Sequence, residues 1–245
     1  MARGRCVGVA SVVAICLMGA RNLSAQTVVR YVAQERRVES SVHDEYFSEG
    51  GTVNVSDDDR VEATDFGLFD ARSDAAKSDP PYSTGFSAVS QRSTLEASGI
   101  AVFSQWSGFV RTSNGGYSLA TTTDATFDVT GGPLAYDLTY NLQGPGVQQN
   151  GHHVDLLLRR VDGAGGDVFR VTPAFDIDTY LASGRESGVL GPGRYEFRYA
   201  DSITNDVGDR GENRVNLSFT PVPEPGAAGL LLGALALGLG ARRRR

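Results

Sequence analysis

Leu134-Ala135-Tyr136-Asp137-Leu138-Thr139-Tyr140-Asn141-Leu142 alternates a large apolar side chain with a small or polar one along its whole length. Successive side chains of a β-strand point to opposite faces, so this spacing gives one apolar face and one wet face. A helix would scatter the same residues around its axis. The segment is therefore a strand of a sheet packed on one side only. Gly131-Gly132-Pro133 precedes it and Gly144-Pro145-Gly146 follows it, and both are turn signals.

The same period recurs on either side. Tyr195, Phe197 and Tyr199 alternate with Glu196 and Arg198, and Val215, Leu217 and Phe219 alternate with Asn216 and Ser218. Ile100 to Val110, Tyr117 to Val129, Val154 to Leu158 and Asp167 to Thr172 read as further strands, with Thr121-Thr122-Thr123 favouring extended backbone through β-branching. Asn114-Gly115-Gly116, Gly163 to Gly166 and Gly191-Pro192-Gly193 separate them. No amphipathic helix is evident between Gln26 and Thr220. Many short strands at regular spacing predict an all-β, antiparallel β-sandwich or jelly-roll-like domain over residues 26–220. Gln26 to Asp65 is less regular and suggests a single strand carrying Val28, Tyr31 and Val38. Asp70 to Tyr82, with Pro80-Pro81, reads as a loop between strands.

Met1 to Ala25 has the layout of a secretory signal peptide: Arg3 and Arg5, then the uncharged stretch Cys6 to Ala20. Ala25 is the expected signal-peptidase cleavage residue, with Ala20 as the alternative. Ile15 before Cys16 argues against a lipidated cysteine. Both cysteines, Cys6 and Cys16, fall in this leader, so the exported chain has no disulfide, thiol nucleophile or thiolate metal ligand. Of 23 basic residues, seven lie in the leader and at the extreme C-terminus; of 29 acidic residues, only Glu224 lies outside the domain. That leaves 16 basic against 28 acidic residues, a net −12, with Lys77 the sole lysine. Such a surface excludes nucleic acid, whose phosphates need a clustered basic face.

Residues 221–245 carry Val222-Pro223-Glu224-Pro225, then the uncharged stretch Gly226 to Ala241, then Arg242, Arg243, Arg244 and Arg245. Proline on either side holds Glu224 in extended backbone. As a helix, residues 226–241 would span roughly 24 Å, short of the ~30 Å bilayer core but able to cross with the arginines snorkelling. The arginines form a membrane stop and keep that end cytoplasmic. Gly229 and Gly233 form a G-x-x-x-G pair that could bring two such helices together, although spacing like this arises easily in a Gly-rich stretch. Motif, single transmembrane helix and basic end, in that order, resemble the PEP-CTERM sorting signal. The resemblance implies recognition by an exosortase, cleavage near Pro223-Glu224-Pro225, and release or transfer of the upstream domain to the envelope. It implies a Gram-negative, exopolysaccharide-producing source, a transient inner-membrane anchor, and a final place at the cell surface or in the matrix. Glu224 would be read by the processing enzyme and would not itself be catalytic. Ser187 to Phe197, with Gly191-Pro192-Gly193 before Tyr195 and Phe197, resembles a hairpin common in sandwich domains that carry this signal.

Candidate sites inside the domain are weak. Asp57-Asp58-Asp59 could bind calcium but lacks the glycine and terminal glutamate of a dedicated loop, so a solvated turn is the plainer reading. Asp201, Asn205, Asp206, Asp209 and Glu212 form a second oxygen-rich stretch between the last two strands, where turn chemistry is again the larger expectation. His152, His153 and Asp155 are short of ligands for zinc, since the remaining histidine is His43. Gly116 to Ala120 loosely resembles a nucleophile elbow, but strand, not helix, follows it. Trp106 with Phe103 and Phe109 could make a sugar-stacking platform; burial of the tryptophan in a sandwich core is the stronger expectation. The expectation is therefore a non-catalytic envelope or matrix protein with no cofactor and no metal site. A carbohydrate-binding module that ties the cell to exopolysaccharide is the alternative, and a polysaccharide-acting enzyme is a third.

Overall fold

A computed structural model describes residues 27–48, 51–79, 83–110, 115–144, 151–163, 165–176, 178–205 and 208–222. These form twelve strands: β1 (Val28–Ser48), β2 (Gly51–Glu62), β3 (Phe69–Asp79), β4 (Ser83–Glu96), β5 (Gly99–Val110), β6 (Gly116–Thr130), β7 (Leu134–Gln143), β8 (His153–Arg160), β9 (Gly166–Val171), β10 (Leu181–Leu190), β11 (Gly193–Asn205) and β12 (Asp209–Pro221). They build two six-stranded antiparallel sheets, A in the order β2-β1-β6-β11-β8-β9 and B in the order β10-β7-β12-β5-β4-β3. The sheets pack face to face as a β-sandwich. Among the described residues no helix is long and apolar enough to cross a membrane. The expected signal peptide with Ala25, the transmembrane stretch 226–241, Pro223, Glu224, Pro225 and Arg242 to Arg245 lie outside the described residues.

The alternation in β7 is realised as read. Leu134, Tyr136, Leu138 and Leu142 are buried and Thr139 and Asn141 are exposed. With Phe127, Phe197, Tyr199, Val215, Leu217 and Phe219 they form the larger of two apolar cores, closed by ring contacts such as Phe127–Phe219 at 5.2 Å. Val38, Val42, Phe69, Val89, Trp106, Val110, Tyr117, Leu119 and Ile203 form the second core, at the other end of the long strands.

Three local expectations are corrected. Gln26 to Asp65 holds two long strands rather than one. A bulge at Val32 shifts the β1–β6 register between Tyr31 and Ala33. Val29 and Tyr31 turn inward before it, while Arg36, Val38, Ser40 and Val42 turn inward after it. The reversal of parity hides the strand from a simple period. Residues 70–79 are strand β3, whose inward residues Ala71, Ser73 and Ala75 are too small to signal a buried face. The segment before Tyr195 is no hairpin, because β10 lies in sheet B and β11 in sheet A, so Gly191-Pro192-Gly193 is an arch between sheets. Tyr195 Oη donates back to the Gly191 carbonyl at 2.9 Å, as a tyrosine corner does in other sandwiches.

Candidate functional site

Between the two cores runs a belt of buried polar side chains. It arises because one or two inward positions on six neighbouring strands are polar. Arg36 on β1, Gln91 and Ser93 on β4, Ser104 on β5, Thr121 and Thr123 on β6, Asp201 on β11 and Asn213 on β12 are all buried. Burial without partners would cost about 1–3 kcal/mol for each group, so the bonding decides whether the belt is tolerable. Most partners are present; of these groups the Thr121 hydroxyl alone has none among the described residues. Arg36 donates to the carbonyls of Asp65, Gly67 and Ser93 at 2.5, 2.7 and 3.2 Å, and to Gln34 Oε1 at 3.0 Å. It therefore pins the β2–β3 connection beneath β1. Burial lowers its pKa, opposed by Asp65. The Gln91 amide lies 2.6 Å from Thr123 Oγ1 and 3.2 Å from Ser93 Oγ. With its carbonyl facing the two hydroxyls, its nitrogen donates to the Arg37 and Thr122 carbonyls at 3.2 and 3.3 Å.

At the far end of the belt His152 Nε2 meets Asp201 Oδ1 at 2.9 Å, and both side chains are almost completely enclosed. Asn213 Nδ2 donates to Asp201 Oδ2, and Asn213 Oδ1 accepts from the Gln143 amide at 2.6 Å. Tyr199 Oη lies 3.4 Å from Asp201 Oδ2 and 3.3 Å from Ser104 Oγ. Burial, then Asp201, raises the Tyr199 pKa, so the phenol stays protonated and serves as a donor. Phe175 packs on the His152 ring with centroids 4.9 Å apart. The groups of this cluster are committed to one another within the interior, an arrangement that ties β8, β11 and β12 together.

The other candidate residues fall into place around this frame. Asp57 and Asp59 are not in a turn but on β2. Their carboxylates accept the backbone amides of Ala76 and Asp74 at 2.9 and 3.1 Å and join the edge of sheet A to the edge of sheet B. Asp201, Asp209 and Glu212 likewise lie within strands, and Asn205 ends β11. Asp206 lies outside the described residues. Asp155 pairs with Arg170 at 2.7 Å. Among the described residues no group of three or more metal-ligating side chains converges. Gly116 to Ala120 is continuous strand in β6.

Trp106 is buried, 4% exposed, and its indole lies over Gly211 on the neighbouring strand. A Cβ at Gly211 would come within 2.4 Å of Trp106 Cζ2, so only glycine admits the ring there. Phe103 and Phe109, three residues either way, point to the opposite face. The three aromatics therefore cannot form one platform.

The outward-facing pair has a surface of its own. Phe103 on β5 is flanked in register by Arg92 on β4 and Arg214 on β12, and Arg214 faces Asn141 on β7. One step along, Thr94, Ala101, Asn216 and Thr139 form a parallel row. Ala101 is the low point between taller neighbours, and the two rows line an open groove of about 610 Å³ on the outer face of sheet B. The Arg214 guanidinium lies over the Phe103 ring, 5.0 Å from its centroid, and reaches Glu212 at 3.1 Å. Arg92 makes no ion pair among the described residues. The outer face of sheet A differs, because there Arg194 pairs with Asp128, Arg198 with Asp124 and Arg159 with Glu196, directly across neighbouring strands. Arg194 holds the Asp128 carboxyl below the usual range, whereas burial pushes Asp124 upward.

Sequence reading reached Phe103 but not its neighbours. The available signal was parity: Phe103 is an aromatic on the wet side of a strand whose inward residues are Ile100, Val102, Ser104 and Trp106. Compared with known proteins, the chain matches no family model, no curated protein and no solved structure.

Proposed function

We propose that this chain is an exported, non-catalytic protein of the cell envelope or extracellular matrix, sorted through its C-terminal tail and processed by an exosortase. One observation carries the reading. Strand β12 ends at Pro221, the Val222 amide donates to the Pro133 carbonyl at 3.0 Å, and the Val222-Pro223-Glu224-Pro225 motif begins at that residue. The twelve strands are complete just where the tail motif starts, so a cut within the motif would free the whole sandwich intact. A signal peptide at Met1 to Ala25 and a stop at Arg242 to Arg245 supply export and a temporary inner-membrane anchor. The self-contained bonding of His152, Asp201 and Tyr199 supports a structural role for those residues over a catalytic one.

The test is cell fractionation of the Glu224→Ala variant in the organism that encodes the protein. The expected result is full-length protein held in the inner membrane while the unaltered chain reaches the surface or medium. Normal processing and export of the variant would overturn the sorting role of the motif.

A second reading, a carbohydrate-binding module, is favoured by the groove around Phe103. Trp106 does not serve it.

A further inference from the structure

We infer that the outer face of sheet B binds an anionic polysaccharide, one carrying carboxylate groups along a linear chain, with Phe103, Arg92 and Arg214 as the central contacts. The inference rests on the carbohydrate-binding reading and adds the ligand's charge and path.

Charge is the first argument. The domain is strongly acidic, and on the outer face of sheet A Arg159, Arg194 and Arg198 each meet a carboxylate directly across a neighbouring strand. The groove is less fully neutralised. Arg92 and Arg214 stand on either side of one half-buried ring; Arg214 also reaches Glu212, whereas Arg92 has no carboxylate partner among the described residues, and Arg210, further along β12 on the same face, has none either. Two guanidiniums across three strands lie about 10 Å apart at the backbone, given the ~4.8 Å strand spacing. A ligand with repeated negative charge can engage both, and each guanidinium can hold a carboxylate with two parallel hydrogen bonds.

Shape is the second argument. The groove is open to solvent and lies on a sheet face. Outward along β5 run Ala101, Phe103, Gln105, Ser107 and Phe109. Phe109 is 39% exposed and packs against Phe86 directly across the strand pair, with centroids 6.3 Å apart. Two aromatic surfaces thus sit roughly 20 Å apart on one line, six residues at ~3.3 Å each. Gln105 and Ser107 fill the interval, and on the far side of Phe103 Thr94, Asn216 and Thr139 line the groove beside Ala101. Rings for the apolar faces of sugars, amides for their hydroxyls and arginines for carboxylates suit an extended acidic glycan better than a peptide. A peptide would seek unpaired backbone at a sheet edge, and β5 and β12 are both interior strands.

Affinity electrophoresis of the full-length chain in mild detergent tests this, with alginate, dextran or poly-glutamate in the gel. Retardation by alginate alone is expected, weakening as salt rises. Arg92→Gln and Arg214→Gln should each weaken it about ten-fold, the loss of one charged contact near 1.4 kcal/mol. Arg72→Gln, on edge strand β3 away from the groove, should leave it unchanged. Both groove arginines are surface side chains, and an unchanged near-ultraviolet spectrum excludes misfolding. Equal retardation by dextran, abolished by Phe103→Ala, would overturn the anionic ligand and keep the carbohydrate-binding reading. Retardation by poly-glutamate as strong as by alginate would reduce the site to charge alone and overturn the inference. No retardation in alginate or dextran would overturn both.

Discussion

Asp201 shows how much a single interior side chain organises. Its two oxygens take His152, Asn213 and Tyr199, from β11 itself and from the chain on both sides of it. Asp201→Ala would leave an imidazole nitrogen and an amide unpaired in the interior and the Tyr199 phenol with Ser104 alone. Removing one member of a buried network is expected to destabilise the fold by about 3 kcal/mol. Denaturant unfolding of Asp201→Ala beside the unaltered chain measures this; a loss under about 1 kcal/mol would mean that water or local rearrangement replaces the carboxylate. Gly99 illustrates the opposite demand, for nothing at all. Its φ is +152°, and a Cβ there would lie 2.1 Å from the Leu217 carbonyl oxygen. Residue type alone could not assign these roles: Asp201 reads as one more acidic residue near a loop until the Tyr199–Asp201–Ile203 alternation is seen to place it inward.

At the scale of elements, strands with large inward side chains were legible and strands with small ones were not. β7, β11 and β12 announce themselves through Leu, Tyr, Phe and Val at every second position. β3 and β4 turn Ala, Ser, Gln and Gly inward, and Ser73 meets Ser40 at 2.7 Å while Ser87 donates to the Ser41 carbonyl at 2.9 Å. These positions are buried by hydrogen bonding rather than by apolar area, and hydropathy does not register that. The Asp57-Asp58-Asp59 run suffered the same fate. It reads as a solvated turn, with a cation loop as the lesser alternative, yet Asp57 and Asp59 occupy edge amides of β3 that would otherwise offer a template to another strand. The double variant Asp57→Ala, Asp59→Ala should therefore self-associate, seen as higher-mass species in light scattering of concentrated protein. A variant that stays as monodisperse as the parent would show that these carboxylates do not protect the edge.

For the whole molecule, fold class was readable because period two dominates the chain, whereas the order of strands was not. Seven connections cross between the sheets, and which strands pair depends on contacts distant in sequence that no local pattern encodes. The groove belongs to this scale too: Arg92, Phe103, Arg214 and Asn141 are spread over more than a hundred residues and meet only through register. One end of the sandwich gathers the start of β1, the β6–β7 turn and the end of β12, since Val28 pairs with Thr130 and Pro221 with Leu134. An anchor following Val222 would hold the domain by that end and leave the outer face of sheet B open to the matrix. The central claim is that the tail is a temporary anchor cut at its proline-flanked glutamate. Its most direct test is the intact mass of the mature protein recovered from the organism that encodes it. The account predicts a chain that begins after the signal peptide and ends near Pro223-Glu224-Pro225, with or without an added envelope group. A mass that still includes Arg242 to Arg245 would contradict it and make the tail a permanent anchor.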